Sequence, residues 1–495
     1  MKNYKKLEDN IRKIAHLSNI CDLAHWDAAT GLPVGATENR HREIASFKAV
    51  IHELSTSKEL GELIEASFAE KNDLDDMQRV NLNLVKKKYN SQICVSTEIQ
   101  KEYSIVSFEC EFIWRKARRE NDFKSLIPYQ DKVFNSVRKI AELKAEALGK
   151  SPMDALIDMY DHDRTSVEID NTFDKLKAEL PKLIEKIIEK QKSEKILPLT
   201  EPIDENTQKN IGLKIMEKMG FNMDCGRLDK SVHPFCSGSN DDVRLTTRYD
   251  VNNFLSSLFG VIHEAGHGLY QQNLPAKYRD QPIGSHMGMA FHESQSLIME
   301  MQAGMSKPFT AFLAELLRDE FSFVGPEYSE ENLYKLITKV TPSFIRVDAD
   351  EATYPLHIIL RYEIEKEILE NNLAAKDLPA LWNAKMKEYL GIVPDADSKG
   401  CMQDIHWPSG GLGYFPSYTN GAIIASMLMK KAKTEYESID AELRTGDFSS
   451  LNKFLNERLR NSGSSRSSAD LLKYSTGHSE IRPDIFIDYL RAKYL

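Results

Sequence analysis

The chain has 495 residues, of which 41% are hydrophobic, and a formal net charge of -10 at pH 7. This length and apolar content allow a large buried core and, as a prior, roughly two to four domains. The acidic balance and the lack of a dense basic tract argue against nucleic acid and anionic membrane surfaces as partners.

No targeting or membrane segment is expected. The first residues, MKNYKKLEDNIRKIAHLSNI, are charged and lack the apolar centre of a signal peptide. The longest apolar run, residues 421–429 (GAIIASMLM), is too short to span a bilayer and is predicted to be a buried helix. The six cysteines are scattered without a CxxC pair, which is typical of reduced thiols in a cytoplasmic protein.

Amphipathic, mostly antiparallel helices are predicted throughout the first 200 residues. Apolar residues recur there at helical spacing, as at Leu7, Ile11, Ile14 and Leu17. Pro181 lies inside the last of these segments and is expected to kink or break it. The predicted helices cover residues 3–20, 38–55, 58–70, 74–90, 96–120, 123–148 and 168–195.

The second half of the chain adds a small β element and a long loop. Residues Val243–Tyr249 (VRLTTRY) alternate and are rich in β-branched residues, so they are the strongest strand candidate. Helical periodicity resumes after residue 252. Residues 391–420 are rich in Gly, Pro, Asp and aromatic residues, which predicts an ordered loop that often carries function. The Ser-rich segment 461–468 is predicted to be a flexible connector. The expected fold class is all-α with a small β element.

The stretch GVIHEAGHGL, residues 260–269, carries an HExxH motif. On a helix His263 and His267 lie on the same face and can bind one metal ion, while Glu264 can flank that ion as a general base. This pattern predicts metal-assisted hydrolysis; the competing interpretation is a core helix with two hydrogen-bonded histidines. Glycines in and around the motif are costly in a helix and indicate close packing against a neighbour or the substrate.

A catalytic zinc also needs a third protein ligand. The extended motif HExxHxxGxxH is excluded, because Tyr270 and Asn273 occupy the positions that require Gly and His. We favour Glu293, because two histidines and one glutamate form a recurring catalytic zinc set. Its rivals are His286, His292 and Glu300.

Further short motifs are similar to those of the carboxypeptidase Taq family of zinc metallocarboxypeptidases, and the resemblance covers essentially the whole chain. The ordered motifs are HPF (233–235), DVRLT (242–246), HEAGH (263–267), HESQ (292–295), IRVDAD (345–350) and GCMQDIHW (400–407). Residues 26–40, 152–161 and 471–494 also resemble this family.

The resemblance implies one catalytic unit with two helical lobes around a deep, zincin-like substrate groove. It implies removal of single C-terminal residues with broad preference, a cytoplasmic location and a homodimer. By motif position His263, His267 and Glu293 become the metal ligands and Glu264 the base. One zinc per chain is expected, with cobalt or manganese as alternatives. We assign residues 1–200 to an N-terminal helical lobe, 201–420 to the metal site and groove, and 421–495 to C-terminal helices.

Chemistry suggests further residues for catalysis. The tetrahedral oxyanion needs hydrogen-bond donors, for which Tyr414 and His406 are the best candidates and Tyr418 is a rival. The alternative for both tyrosines is ordinary aromatic packing.

An exopeptidase must also bind the terminal carboxylate of its substrate. Arginine suits this role, so we predict Arg346 first and Arg244 second. The alternative for Arg346 is a structural ion pair with Asp350. His233, Asp404 and His292 are expected to line or support the site.

Two other functions compete with a carboxypeptidase. The nearer one is an oligopeptidase that uses the same HExxH helix but cleaves inside short peptides, so it would also cleave amidated peptides. The other is a helical scaffold that binds metal without hydrolysis. Glu264 argues against the scaffold, since metal binding alone needs no carboxylate at that position.

Overall fold

The computed structural model describes all 495 residues and is mostly helical with one three-stranded sheet, which confirms the expected fold class. None of its helices combines the length and apolarity that crossing a membrane requires. All six cysteines are free thiols. The helices of the first part are α1 (Lys2–Thr30), α2 (Thr37–Ser55), α3 (Lys58–Ala69), α4 (Asp76–Ile93), α5 (Thr97–Glu120), α6 (Phe123–Leu148), α7 (Pro152–Ile157), α8 (Ser166–Gln191) and α9 (Glu205–Lys218).

Side-chain caps fix several of these helix starts. Asp75 and Gln78 form a capping box at α4, and Thr165 and Glu168 form another at α8. Helix α8 runs unbroken through Pro181, so of the predicted kink or break the break does not occur. Its buried leucines and isoleucines pack into the main core, and this packing compensates for the backbone bond that proline cannot donate.

The sheet lies directly before the HExxH helix in the chain. Its strands β1 (Gly226–Lys230), β2 (Cys236–Ser239) and β3 (Asp242–Thr247) have the order β1-β3-β2, with β1 parallel and β2 antiparallel to β3. Strand β3 is the predicted one and ends two residues earlier than expected. Val243 and Leu245 are fully buried on the face of β3 that packs on the next helix.

The remaining helices form the part of the molecule that carries the HExxH motif. They are α10 (Phe254–Gln272), α11 (Met289–Leu297), α12 (Lys307–Phe321), α13 (Glu330–Ile337), α14 (Tyr354–Glu370), α15 (Leu378–Leu390), α16 (Pro416–Glu435), α17 (Ile439–Leu443), α18 (Ser449–Arg458), α19 (Ser468–Thr476) and α20 (Pro483–Tyr494). A π-helical segment, Ile298–Gly304, continues α11. Residues 391–415 contain no α-helix, as predicted, but the last five residues of the predicted loop, 416–420, belong to α16. Residues 421–429 lie buried in the same helix.

Two separate hydrophobic clusters organise these elements. The main cluster has 93 buried residues and begins at Cys110, so α5 to α8 contribute to it together with the catalytic helices. The second has only seven, from Tyr4 to Val85, contributed mainly by α1, α3 and α4. The Ser-rich connector is not free: Ser464 is buried and its backbone N–H donates to the carbonyl of Ile283 at 2.9 Å. The prediction of a flexible segment there is wrong, because these polar groups are paired inside the protein.

Candidate active site

Helix α10 can carry the site because glycines let its neighbours approach closely. A Cβ on Gly266 would lie 2.4 Å from the carbonyl oxygen of Gln295 in α11. Similarly, a Cβ on Gly421 in α16 would lie 2.7 Å from the Cβ of Glu293. Larger residues at these positions would push the helices apart, so Gly266 sets how close α11 comes to α10 and Gly421 sets how close α16 comes to α11.

This close approach brings the three predicted metal ligands together. One ligand atom from each of His263, His267 and Glu293 lies within 4.8 Å of the others. The Nε2 atom of His267 is 3.4 Å from one carboxylate oxygen of Glu293, and Nε2 of His263 is 3.9 Å from the other. Two imidazoles and a carboxylate are a donor set that suits zinc, so the residues present fit the metal that the motif predicts.

The other ring nitrogens of the two histidines are held by hydrogen bonds. His263 contacts Glu300 through Nδ1 at 2.7 Å, and His267 contacts the backbone carbonyl of His292 through Nδ1 at 3.1 Å. With Nδ1 protonated and donating, each ring offers the lone pair of Nε2 toward Glu293. This second layer of contacts prepares both imidazoles for a cation.

The rivals for the third ligand occupy supporting positions. Glu300 lies in the π-helical segment and holds His263, on the side of the ring away from the cluster. The ring of His292 packs against that of His267 at 4.5 Å between centroids, and the ring of His286 packs behind it at 4.8 Å. Neither histidine belongs to the three-ligand cluster, which leaves Glu293 as the third predicted ligand.

The charges around the cluster favour a positive ion. Burial alone would lower the pKa of His263, but Glu293 and Glu300 raise it to about 10. Burial likewise opposes ionisation of Glu293, yet His263, His267 and Arg346 hold its pKa below the ordinary value. The same carboxylates that favour a proton on His263 favour a metal ion in its place, because the ion binds Nε2 only after that nitrogen has lost its proton.

Glu264 lies beside the cluster without being part of it. Its side chain is buried, and burial is the main reason that its pKa is raised above the ordinary value. A carboxylate with a raised pKa accepts a proton more readily than an exposed one, which is what a general base at neutral pH requires.

The 391–415 loop is fixed to α14 by a buried glutamate. Glu365 accepts hydrogen bonds from the indole of Trp407 and the backbone N–H of Gly413, both at 2.9 Å. These bonds hold the segment that carries His406, whose buried Nδ1 has no partner. Burial lowers the pKa of His406 to about 4, so this ring is neutral at pH 7.

Tyr414 and Tyr418 form an aromatic group with His406. The two phenol rings meet edge to face at 5.1 Å between centroids, and the ring of Tyr414 stacks on that of His406 at 5.7 Å. Burial raises the pKa of both phenols, and the negative charge of Glu293 adds to this effect. The group therefore lies near the predicted metal ligand Glu293, and its hydroxyls are protonated.

Arg346 is buried beside the same group, in a short 3₁₀ turn. Its Nε and Nη2 donate to Asp404 at 3.1 and 2.9 Å, and its Nη1 donates to the hydroxyl of Tyr354 at 2.9 Å. Asp350 instead caps backbone N–H groups of Thr341 and the start of α14, so the alternative interpretation, an ion pair of Arg346 with Asp350, is wrong. Arg346 forms its ion pair with Asp404, far along the chain.

Asp404 also binds a second arginine that the sequence did not reveal as important. Arg361 is fully buried and donates to Asp404 through Nε at 2.7 Å. Burial opposes ionisation of Asp404, but Arg346 and Arg361 hold its pKa far below the ordinary value. One signal was available: Arg361 interrupts the apolar run PLHIIL on the helix that follows IRVDAD, and a charge on a buried face needs a partner.

The structure does not bring Arg244 to the predicted ligands. Val243 and Leu245 face α10, so the alternation of β3 directs Arg244 to the opposite face. There it pairs with Asp242 at 2.7 Å and lies over the ring of Trp26.

His233 lies in the HPF segment that leads into the sheet. The neighbouring Pro234 approaches Gly260, one helical turn before His263. Burial lowers the pKa of His233, and the positive charges of Arg248, Arg118 and Arg115 lower it further. The segment therefore lies over the start of the HExxH helix, close to arginines from α5.

A helical fold with an HExxH helix packed on a small sheet, and with a glutamate from the next helix, defines a metallopeptidase. The profile of the family described as "Carboxypeptidase Taq (M32) metallopeptidase" matches residues 6–494. The chain therefore belongs to this family and is a metallocarboxypeptidase that hydrolyses peptide bonds.

Individual relatives agree over the full length. The chain is 34% identical to Carboxypeptidase 1 of Bacillus subtilis over 491 residues, covering 99% of this chain and 97% of that protein. It is 32% identical to Thermostable carboxypeptidase 1 of Thermus thermophilus, with 99% and 98% covered. Among solved structures, Metallocarboxypeptidase 1 of Trypanosoma cruzi superimposes with a TM-score of 0.97 at 35% identity, covering 100% and 99% of the two chains.

Proposed function

We propose that this metallocarboxypeptidase binds one zinc ion through His263, His267 and Glu293 and uses Glu264 as its general base. The observation that carries the proposal is the three-ligand cluster with both histidines oriented by hydrogen bonds from behind. Cobalt or manganese would fit the same donors, and metal analysis of the purified protein distinguishes the three.

When bound, such a metal supplies Lewis-acid activation of water and of the scissile carbonyl. The protein's own contribution begins with Glu264, which takes a proton from the attacking water and passes it to the leaving amine. Its burial supports this role, because the neutral form produced by proton uptake is tolerated there.

Tyr414 and His406 are proposed to stabilise the oxyanion, with Tyr418 as the alternative donor. Neutral phenols and a neutral imidazole can donate a hydrogen bond where negative charge develops. The position of Tyr414 near Glu293 supports its choice, as does the free buried Nδ1 of His406.

Arg346 is proposed to bind the terminal carboxylate of the peptide. Asp404 and Tyr354 use three of its five N–H donors, which leaves one on Nη1 and one on Nη2. These two outer donors form a fork that matches both oxygens of a carboxylate. Asp404 and Arg361 hold that fork in place, so they act as positioning residues.

The wider setting of the enzyme is also part of the proposal. Peptides with a free C-terminus are its substrates, with broad preference for the released residue. A cytoplasmic location and a homodimer follow from the resemblance to the family. Sedimentation equilibrium measures the oligomeric state directly. The division into an N-terminal lobe, a groove region and C-terminal helices stays a prediction.

The decisive experiment uses one short peptide in two forms, with a free and with an amidated C-terminus. Zinc-loaded protein should release single residues stepwise from the free acid alone, as followed by mass spectrometry. Glu264→Gln should slow this release by about 100-fold or more, because it removes a general base. Internal cleavage of both peptides would instead show an oligopeptidase and remove the role of Arg346.

A further inference from the structure

A cavity begins one helical turn beyond the predicted metal ligands. Gln271 follows His267 by four residues on α10, so it lies on the same face, about 6 Å farther along the axis. Gln271 lines a cavity of about 310 Å³ between the catalytic part and the N-terminal helices. Its opposite walls include Ile14 of α1 and Lys88, Tyr89 and Gln92 of α4.

Lys88 differs from the two lysines before it in lacking any anionic partner. Lys86 pairs with Glu65 at 2.9 Å, and Lys87 pairs with Asp163 at 2.8 Å. Lys88 makes neither an ion pair nor a hydrogen bond within the protein, although it lines the cavity. The Lys88 side chain is exposed where it lines the cavity. The protein around its amine still lowers the pKa of Lys88 through desolvation, and no carboxylate opposes this effect.

The facing wall supplies another unused donor. The amide nitrogen of Asn240, beside strand β2, is buried without a partner, while its amide oxygen accepts from Gln271 at 3.3 Å. The cavity does contain one carboxylate, Asp280, but that group pairs with His16 at 3.2 Å. An unpaired ammonium and an unpaired amide N–H in one cavity match the oxygens of a carboxylate.

We propose that this cavity is a substrate subsite that binds an acidic side chain of the peptide through Lys88 and Asn240. The inference rests on the proposed function and adds a preference to it. An extended peptide advances about 3.4 Å per residue, so a site that begins about 6 Å from the metal ligands lies about two residues from the scissile bond. A carboxypeptidase keeps one residue on the C-terminal side of that bond. The acidic residue therefore belongs to the N-terminal side, at the third or fourth position from the C-terminus.

The test compares alanine-based pentapeptides that carry Glu, Gln or Lys at the third or fourth position from a free C-terminus. At one of these positions kcat/KM for Glu should exceed that for Gln by about tenfold, the size of one charge-assisted hydrogen bond. Lys88→Met should abolish the preference, and Lys88→Arg should retain most of it. Lys86→Met is the matched control, because Lys86 lies on the same helix and pairs with Glu65; it should leave the preference unchanged.

Measurements of peptide binding test this inference separately from the proposed mechanism. Dissociation constants of the same labelled peptides are measured with the zinc-loaded Glu264→Gln variant, with and without Lys88→Met. A Glu preference in binding that depends on Lys88 supports the subsite, whether or not the wild-type protein hydrolyses the peptides. Absence of hydrolysis would count against the proposed mechanism but not against the subsite. Equal dissociation constants for the Glu and Gln peptides, or a preference that survives Lys88→Met, would overturn the subsite.

Discussion

Helices α10 and α2 have the same length, 19 residues, but bury very different shares of their side chains. Thirteen residues of α10 are buried, including Glu264 and His267, whereas only Ile44 and Ser55 are buried in α2. Sheet, α11 and the π-helical segment surround α10, while α2 packs mainly against α1. Metal ligands must be held within fractions of an ångström, and the predicted ligands lie where packing comes from several sides. The N-terminal helices need only shape one wall of a cavity.

This contrast predicts where substitutions cost most. The largest effect is expected for Asp404→Asn, which leaves Arg346 and Arg361 buried without their shared carboxylate. Breaking a buried ion pair from one side costs about 3–5 kcal/mol, and we expect a loss of that size in the free energy of unfolding. Denaturant titration monitored by circular dichroism measures it.

The matched control is Asp440→Asn, which removes an exposed carboxylate paired with Lys433. Exposed pairs contribute about 0–1 kcal/mol, so this variant should stay close to the wild type. If both variants lost the same small amount of unfolding free energy, the cluster around Asp404 would not be the buried network that the distances indicate.

The loop anchor Glu365 predicts a pH dependence of intermediate size. Burial raises its pKa to about 8, so the carboxyl is protonated in the folded protein at neutral pH and ionised in the unfolded chain. Its contribution to stability is therefore complete below the ordinary pKa of a glutamate, near pH 4.5, and is lost as the pH rises through about 8.

Glu365→Gln tests the direction of this pH dependence, because glutamine does not ionise. The variant loses one hydrogen bond, because Trp407 and Gly413 donate to different oxygens of Glu365 and the amide nitrogen that replaces one of those oxygens cannot accept. It should therefore be less stable than the wild type at about pH 5. Between about pH 5 and 8 the difference should move in favour of the variant by more than 1 kcal/mol. Parallel stability curves would show that Glu365 does not titrate differently in the folded state.

Local periodicity explains why so much of the fold was predictable. Helices α2 to α6 begin and end within about three residues of their predicted bounds, because each carries an apolar stripe and most have a side-chain cap. The HExxH motif was readable for the same reason, since its two histidines and its glutamate act within one turn of a helix.

Contacts between distant parts of the chain were not predictable in this way. Glu300 holds His263 from 37 positions away, and Asp404 joins Arg346 and Arg361 across 58 and 43 positions. Sequence periodicity carries no information about such distant pairs and offers for Arg346 only a local partner, Asp350. The prediction of a flexible Ser-rich segment is wrong for the same reason, because the hydroxyl of Ser464 donates to the distant backbone carbonyls of residues 285 and 286.

The smallest effect is expected in α2. Ile44 is its one buried large apolar side chain, at 5% exposure, while Phe47 and Val50 on the same helix are 38% and 49% exposed. A helix with so few buried contacts opens locally at low free energy, before the rest of the protein unfolds. Ile44→Ala should therefore change the free energy of global unfolding by less than about 0.5 kcal/mol, below the usual cost of a truncated core residue.

Hydrogen exchange shows whether α2 opens on its own. In Ile44→Ala the amides of α2 should exchange faster, while those of α10 keep their protection, because the two helices belong to different cooperative units. Ile424→Ala in α16 is the contrasting variant: Ile424 is fully buried in the main cluster, so its truncation should cost about 2–5 kcal/mol and speed exchange in α10 as well. If Ile44→Ala destabilised both helices equally, α2 would share the cooperative unit of the metal site, and movement of the N-terminal wall would then be coupled directly to the metal ligands.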